Sequence, residues 1–136
     1  MTSRQSRFVL AVVGCLLLAL TAYAQAATVV NLVSNGDGTC AQKGDKNPAP
    51  NAPSQFVLVD RNDTIRYAGA VDSHGAPASF DVRFDPPFGD LGPGDTAHPV
   101  TTSPLKGDPG DTVNYHSVTI GNQPCFNGKS LGIVMR

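Results

Sequence analysis

Two sulfur-bearing residues near the end of the chain have the types and spacing for metal-centred redox chemistry. Cys125 and Met135 lie in the segment TIGNQPCFNGKSLGIVMR. A thiolate and a weak axial thioether, together with two imidazoles, hold copper in electron-transfer sites. No histidine follows Cys125, and Met135 belongs to an apolar run typical of a strand. We therefore expect no such copper site here.

Histidines are the next candidates, because neutral imidazole is the commonest metal ligand in proteins. The chain has three of them, His74, His98 and His116, and no two share a short metal-binding spacing. His74 and His98 fall in turn-rich segments, whereas His116 falls in a predicted strand. Loops at one end of a β-sandwich do cluster. A copper or zinc site built from two of these histidines is one alternative, and ordinary solvated side chains are the other.

The acidic residues are all aspartates, and four of them crowd one segment: Asp90, Asp95, Asp108 and Asp111. Calcium takes about six to eight oxygen ligands, usually from a loop of defined spacing, and the chain contains no such loop. Aspartate beside glycine or proline is common in turns. These residues therefore predict turns.

Catalytic groups are sparse. Ser73–His74 and His116–Ser117 are neighbours in sequence, but a catalytic triad also needs an orienting acid and an oxyanion hole, which are defined in space. The chain has no glutamate and no nucleophile-elbow motif. We expect a non-catalytic protein without a cofactor, and a small secreted enzyme or enzyme inhibitor is a third alternative.

The chain begins like a secretory signal peptide, with two arginines, an apolar run over residues 8–20 and small residues after it. We predict a signal peptide over residues 1–26, cleaved after Ala26 or after Ala24. A retained membrane anchor is the alternative, but the apolar run is shorter than the roughly 20 residues that span a bilayer. After cleavage we expect no membrane insertion. Cys15 lies inside the apolar run rather than at its end. Lipidation of Cys15 is therefore a minor alternative.

The remaining domain, residues 27–136, has 8 basic and 11 acidic residues, a net charge of −3. This charge argues against nucleic acid as a partner. Only Cys40 and Cys125 remain after cleavage. In the periplasm or outside the cell, two such cysteines pair. We predict a disulfide between them, and free thiols that bind metal are the alternative.

Short strand-like segments separated by turns run through the whole domain. Abundant glycine, proline, aspartate and asparagine favour turns over helices. The clearest strand is 80–85, where apolar and charged residues alternate. We predict a bulge near His116 or Ser117, where the apolar alternation changes phase. The predicted strands are 28–33, 55–59, 64–67, 80–85, 112–120 and 131–135.

Two long segments predict loops instead. Residues 41–55 are rich in proline and asparagine, and residues 90–109 consist almost entirely of turn residues. Within the second segment, Pro104–Leu105 is the exception, and we expect a brief strand or an apolar plug there. The pattern predicts one all-β domain, an antiparallel or Greek-key β-sandwich.

The domain resembles small bacterial secreted cupredoxin-like proteins in three segments: FVLVDRNDTIRYAG, FDVRFDPPFG and DTVNYHSVTIGNQPCFNGKSLGIVMR. They are similar to a strand–turn–strand unit, a strand with a Pro-Phe exit and a closing hairpin. In that family the closing loop supplies cysteine, then histidine, then methionine to copper. This chain lacks the closing histidine, and it has no tryptophan, which many such domains carry. The resemblance implies a cupredoxin-like or Ig-like sandwich without the copper ligands.

These observations together predict a periplasmic or extracellular binding or structural protein. Its loops would contact an unidentified envelope or extracellular protein. The alternative of a periplasmic copper-binding protein rests on the loop histidines.

Overall fold

The computed structural model describes residues 26–84 and 90–136. The predicted signal peptide lies outside these ranges except for Ala26, and so does the Pro-Phe exit within residues 85–89. No helix in the described ranges is long and apolar enough to cross a membrane.

The described chain consists of strands joined by turns, with one short 3-10 helix at Gly128–Ser130. The strands are β1 (Ala27–Ser34), β2 (Cys40–Gly44), β3 (Phe56–Val59), β4 (Thr64–Val71), β5 (Pro77–Ala78), β6 (Phe80–Phe84), β7 (Asp90–Gly94), β8 (Val100–Thr101), β9 (Thr112–Ile120), β10 (Gln123–Pro124) and β11 (Gly132–Met135).

These strands form two sheets around one core, which confirms the predicted all-β sandwich. The first sheet has the order β2-β1-β4-β5, with β8 also paired to β4. The second has the order β3-β11-β9-β6-β7, with β10 also paired to β9. Both sheets are mixed rather than purely antiparallel, because β1 pairs parallel with β4 and β3 pairs parallel with β11. Parallel neighbours need crossover connections. Between β1 and β4, for example, the chain leaves the first sheet, adds β3 to the second sheet and then returns.

The alternation in β6 places one face in the core. Phe80, Val82 and Phe84 are buried, whereas Asp81 and Arg83 are not. β9 contains the predicted bulge: Arg83 pairs with Ser117 and Phe84 with Tyr115, so His116 is the extra residue that β9 inserts between these two pairs. The bulge restores the buried face of β9 on both sides of His116.

The core is filled from both sheets by aliphatic and aromatic side chains. Val30, Leu32 and Ile65 come from the first sheet, and Val57 and Ile133 from the second, all without exposed surface. Tyr67, Phe84 and Tyr115 form an aromatic cluster with ring centroids 4.7 to 6.4 Å apart. Aromatic clusters of this kind contribute a large share of the buried apolar surface.

The prediction of a loop over residues 41–55 is wrong at its start, because β2 continues to Gly44. The segment CAQKG has no β-branched residue, so its composition does not favour a strand. Its pairing with β1 decides the structure, since the turn after Ser34 brings Cys40 opposite Ser34. Gln42 also exchanges two backbone hydrogen bonds with Ser54, which links the edge of the first sheet to the chain entering β3.

The prediction that residues 90–109 are almost entirely loop is also partly wrong, because the segment contains β7 and β8. β7 has the sequence DLGPG and still pairs with β6. Proline is tolerated there because β7 is an edge strand. Leu105 is the expected apolar plug: it is buried, and its backbone bonds to Asn62 and Asp63.

Candidate functional site

The structure separates the two sulfur-bearing residues of the C-terminal segment. Cys125 forms a disulfide with Cys40, with Cα atoms 5.6 Å apart. This is the predicted pairing. Met135 lies in β11 and is buried in the core. Cys125 therefore has no thiolate to offer a metal, and Met135 acts as a core residue.

The three histidines lie on separate elements. His74 is on the loop between β4 and β5, His98 on the turn between β7 and β8, and His116 at the bulge of β9. The His98 side chain is 82% exposed, and its Nδ1 lies 3.0 Å from Asp95 Oδ1. His74 Nδ1 lies 3.5 Å from Ser73 Oγ. Within the described ranges, no three histidine, cysteine or aspartate side chains are close enough to hold a metal ion.

The loop that precedes Cys40 lies against two other loops, since a Cβ on Gly36 would be 3.7 Å from Ser73 Cβ and Phe126 lies over Gly38. We call these three loops the disulfide end: residues 35–39, 72–76 and 121–127. The side chain of Asn127 joins the third loop to the first residue of β2, because its Oδ1 accepts from Cys40 N at 2.8 Å and its Nδ2 donates to Cys40 O at 2.9 Å. Cys125 N also donates to Val118 O. The disulfide end is thus cross-linked both covalently and by hydrogen bonds.

Aspartates close the first two of these loops on themselves. Asp37 Oδ1 accepts from the Thr39 hydroxyl and amide, and the hydroxyl is the larger cause of the lowered pKa of Asp37. Asp72 Oδ1 accepts from the amides of Ala76 and His74, and the Ala76 amide contributes most to its lowered pKa. Both carboxylates are therefore turn-forming groups already occupied by their own loops.

Phe126 is the one large hydrophobic side chain that is exposed in the described chain, with 82% of its surface accessible. Its amide donates to Gly38 O at 3.0 Å. Its ring lies directly over Gly38, since a Cβ there would be 2.5 Å from ring atom Cε2. Gly38 has a φ of +88°, so both its backbone conformation and the space above it require glycine. The ring is consequently supported on one side and open to solvent on the other.

A buried polar network crosses the core between the two sheets. Tyr67 and Tyr115 share a hydrogen bond of 2.9 Å between their hydroxyls, and the Tyr115 hydroxyl donates to Gln42 Oε1. Gln42 Nε2 donates to the carbonyls of Gln55 and Gly132 at 2.8 and 2.9 Å. Burial raises the pKa of both tyrosines. The network has no exposed reacting group and its partners are satisfied, so it stabilises the core.

A charged cluster joins the C-terminal residue to the segments on either side of β3. Arg136 donates through Nε and Nη2 to the two carboxylate oxygens of Asp60, at 2.8 and 3.1 Å. Lys46 forms ion pairs with Asp60 and with the largely buried Asp63. Asp63 also accepts from Thr28 Oγ1. All the charged members are paired, so the cluster fastens the C-terminal residue to the turn before β4.

Sequence reasoning did not single out Phe126, Asn127 or Gln42. An asparagine and a glutamine in polar segments give no periodic signal, because their roles depend on partners about 90 residues away. Phe126 could have been noticed as an aromatic residue placed between a cysteine and an Asn-Gly pair, outside any alternating pattern.

No family model, curated protein or solved structure matches the chain.

Proposed function

We propose that this chain is a non-catalytic binding domain of the periplasm or the extracellular space, which attaches to an envelope or extracellular protein through Phe126. The observation that carries the proposal is the 82% exposure of this ring on a braced loop. Secretion is supported by the signal-peptide pattern and by the disulfide, because disulfides persist in oxidising compartments. The cupredoxin-like relationship is part of the proposal and rests on the order of the strand segments.

A rigid aromatic side chain is a favourable contact for a protein partner. Exposed aromatic residues bury much area on binding and lose little conformational entropy when their loop is already fixed. The disulfide, the two bonds of Asn127 to Cys40 and the contact with Gly38 hold this loop before any partner arrives.

The surroundings of Phe126 have the polar rim expected of an interface. Asp37, Ser73, His74, Asn122 and Gln123 are exposed on the three loops of the disulfide end. An apolar centre within a polar, hydrated rim is the usual anatomy of a transient protein–protein contact. Asp37 and Asp72 are the two carboxylates of these loops, and the other rim residues are neutral, which favours a partner surface without strong negative charge.

Site-specific photo-crosslinking in the native host tests this contact. A photoreactive phenylalanine analogue at position 126 should give a defined adduct, whereas the same analogue at the exposed position 106, in the loop before β9, should give none. The absence of an adduct at 126, or equal adducts at both positions, would refute the proposed contact.

The captured partner is then purified and its affinity measured by calorimetry. Because truncating a central aromatic residue removes about 2 kcal/mol or more, F126A should weaken binding at least tenfold. K106A serves as the matched control and should change affinity less than twofold. An unchanged affinity of F126A would contradict the proposal, and circular dichroism of both variants establishes that the fold is intact.

A further inference from the structure

The outer face of the first sheet has a groove of about 310 Å³ that the disulfide end does not explain. Its floor is Gly69 of β4, which pairs with Asn31 of β1 and has no side chain to fill the space. Val33, Val71 and Pro77 are among the apolar residues that line it. A concave, mostly apolar surface with a few polar groups is the usual form of a small-molecule site.

Three polar side chains converge on this groove. Asn31 of β1 pairs with Lys43 of β2 on one side and with Gly69 of β4 on the other. Lys43, Asn31 and Gly69 therefore lie in one row across the sheet, and Thr96 is the third polar residue. Thr96 Oγ1 reaches within 3.0 Å, and Asn31 Oδ1 within 3.7 Å, of the position that a Cβ on Gly69 would take. Among the described residues, Asn31, Lys43 and Thr96 make no side-chain hydrogen bond or ion pair. Their donors are available to a ligand.

We propose that this groove binds a small aliphatic carboxylate. The Lys43 ammonium supplies the charge for the carboxylate, and the Asn31 amide and the Thr96 hydroxyl supply further donors. The apolar walls receive a short branched alkyl group. Two sources share this chemistry: a free short-chain acid and the C-terminal carboxylate of a peptide that ends in a small apolar residue.

The charges of the neighbouring surface orient this ligand. A second groove of about 310 Å³ shares Pro77 and Thr96 with the first and is lined by Asp95. Asp95 Oδ1 accepts from the amide and the ring nitrogen of His98. Its negative charge disfavours a carboxylate at that end, so the carboxylate is placed at Lys43 and the alkyl group toward Pro77.

A titration followed by 15N-resolved NMR tests the assignment with isovalerate, its neutral isostere isovaleramide and the peptide acetyl-Ala-Val. Isovalerate should shift the backbone amides of Asn31, Gly69 and Thr96 in a saturable manner. The neutral amide should bind about twofold to fivefold more weakly, as expected for the loss of one partly exposed charge pair. Tighter binding of acetyl-Ala-Val than of isovalerate identifies a peptide C-terminus as the natural ligand, and the reverse identifies a free acid.

Two substitutions locate the contact. K43Q should abolish the preference for the acid over the amide, whereas K106Q, at an exposed lysine outside the groove, should leave it unchanged. G69A should weaken both ligands, because its Cβ occupies the floor of the groove. Equal binding of acid and amide by the wild-type protein, or a preference that survives K43Q, would overturn the proposal. The spectra of K43Q report its fold directly, so these outcomes stand even if G69A is destabilised.

Discussion

Gln42 has no exposed surface, yet its side-chain amide makes three hydrogen bonds that join the two sheets. It lies on β2 of the first sheet and contacts Tyr115 on β9 and the Gly132 carbonyl on β11 of the second. A buried amide is stable only when its partners are all present, because an unpaired polar group in the core costs about 1–3 kcal/mol. Gln42 therefore fixes how the sheets are aligned.

The network predicts an order of stability losses. Q42L removes two donated bonds and one accepted bond, so we expect it to lower the free energy of unfolding by about 3 kcal/mol. Y67F removes one hydroxyl, while Tyr115 keeps its bond to Gln42, so we expect a loss of about 1 kcal/mol. Urea unfolding followed by circular dichroism measures both. A larger loss in Y67F than in Q42L would contradict this description of the network.

Among the elements, β3 shows how the edge of a sheet is completed by a side chain. β3 is the last strand of the second sheet. Asn47 covers its outer edge: its Nδ2 donates to Phe56 O at 3.0 Å, and its Oδ1 accepts from Leu58 N at 2.8 Å. An edge whose backbone groups are already paired does not recruit another strand.

The pairing of β11 with β9 depends on Gly132. A Cβ at this position would lie 2.6 Å from Val113 O, a backbone atom that cannot move without displacing β9. We expect G132A to destabilise the protein by about 2 kcal/mol through overpacking. G107A is the matched control, because the nearest atom to its Cβ is Asp111 Oδ2, the end of an exposed side chain rather than a backbone atom, at 3.2 Å. Urea midpoints of the two variants measure the difference. Equal midpoints would contradict the prediction, because they would show that β9 and β11 accommodate the added methyl group without loss of stability.

Over the whole molecule, the disulfide closes a loop of 85 residues between β2 and the segment after β10. Chain-entropy estimates give a bond across such a loop about 4 kcal/mol of stabilisation. We therefore expect the C40S/C125S double variant to lose roughly that amount while keeping the same sandwich, since the core has its own packing. Guanidinium unfolding of both forms tests this value. A loss below about 1 kcal/mol would mean that Asn127 and the hydrogen bonds alone hold the disulfide end.

Acid should weaken the fold through several surface carboxylates whose pKa is lowered. When folding lowers the pKa of a carboxyl group, the unfolded chain binds more protons than the folded chain at pH values near and below the unfolded pKa. Stability therefore rises with pH in that acidic range. We expect constant stability above about pH 5 and a progressive loss as the pH falls below about 4. The carboxylates are Asp37, Asp60, Asp72 and Asp95.

The contribution of Asp60 to this dependence of stability on pH can be measured separately. The Asp60 pKa is lowered first by its hydrogen bonds to the Arg136 guanidinium and then by Lys46. D60N should reduce the dependence of stability on pH between about 4 and 2, most visibly at low salt, because exposed ion pairs are screened. Unfolding of D60N at pH 7, 4 and 2.5 gives the comparison. An unchanged pH dependence would assign the acid sensitivity to the three loop aspartates.

The sequence by itself determined the features that depend on local pattern or on counting. The alternation of β6 indicated a half-buried strand, the change of phase in β9 indicated its bulge, and two cysteines in an oxidising compartment indicated their pairing. Each signal is contained in neighbouring residues or in the number of cysteines.

The tertiary structure alone decided that β2 and β7 are strands, that two strand pairs are parallel and that Gln42 and Asn127 bridge distant segments. It also placed Phe126 over Gly38 and opened the groove at Gly69. These features arise from contacts between residues far apart in the chain, and such contacts leave no periodicity in the sequence.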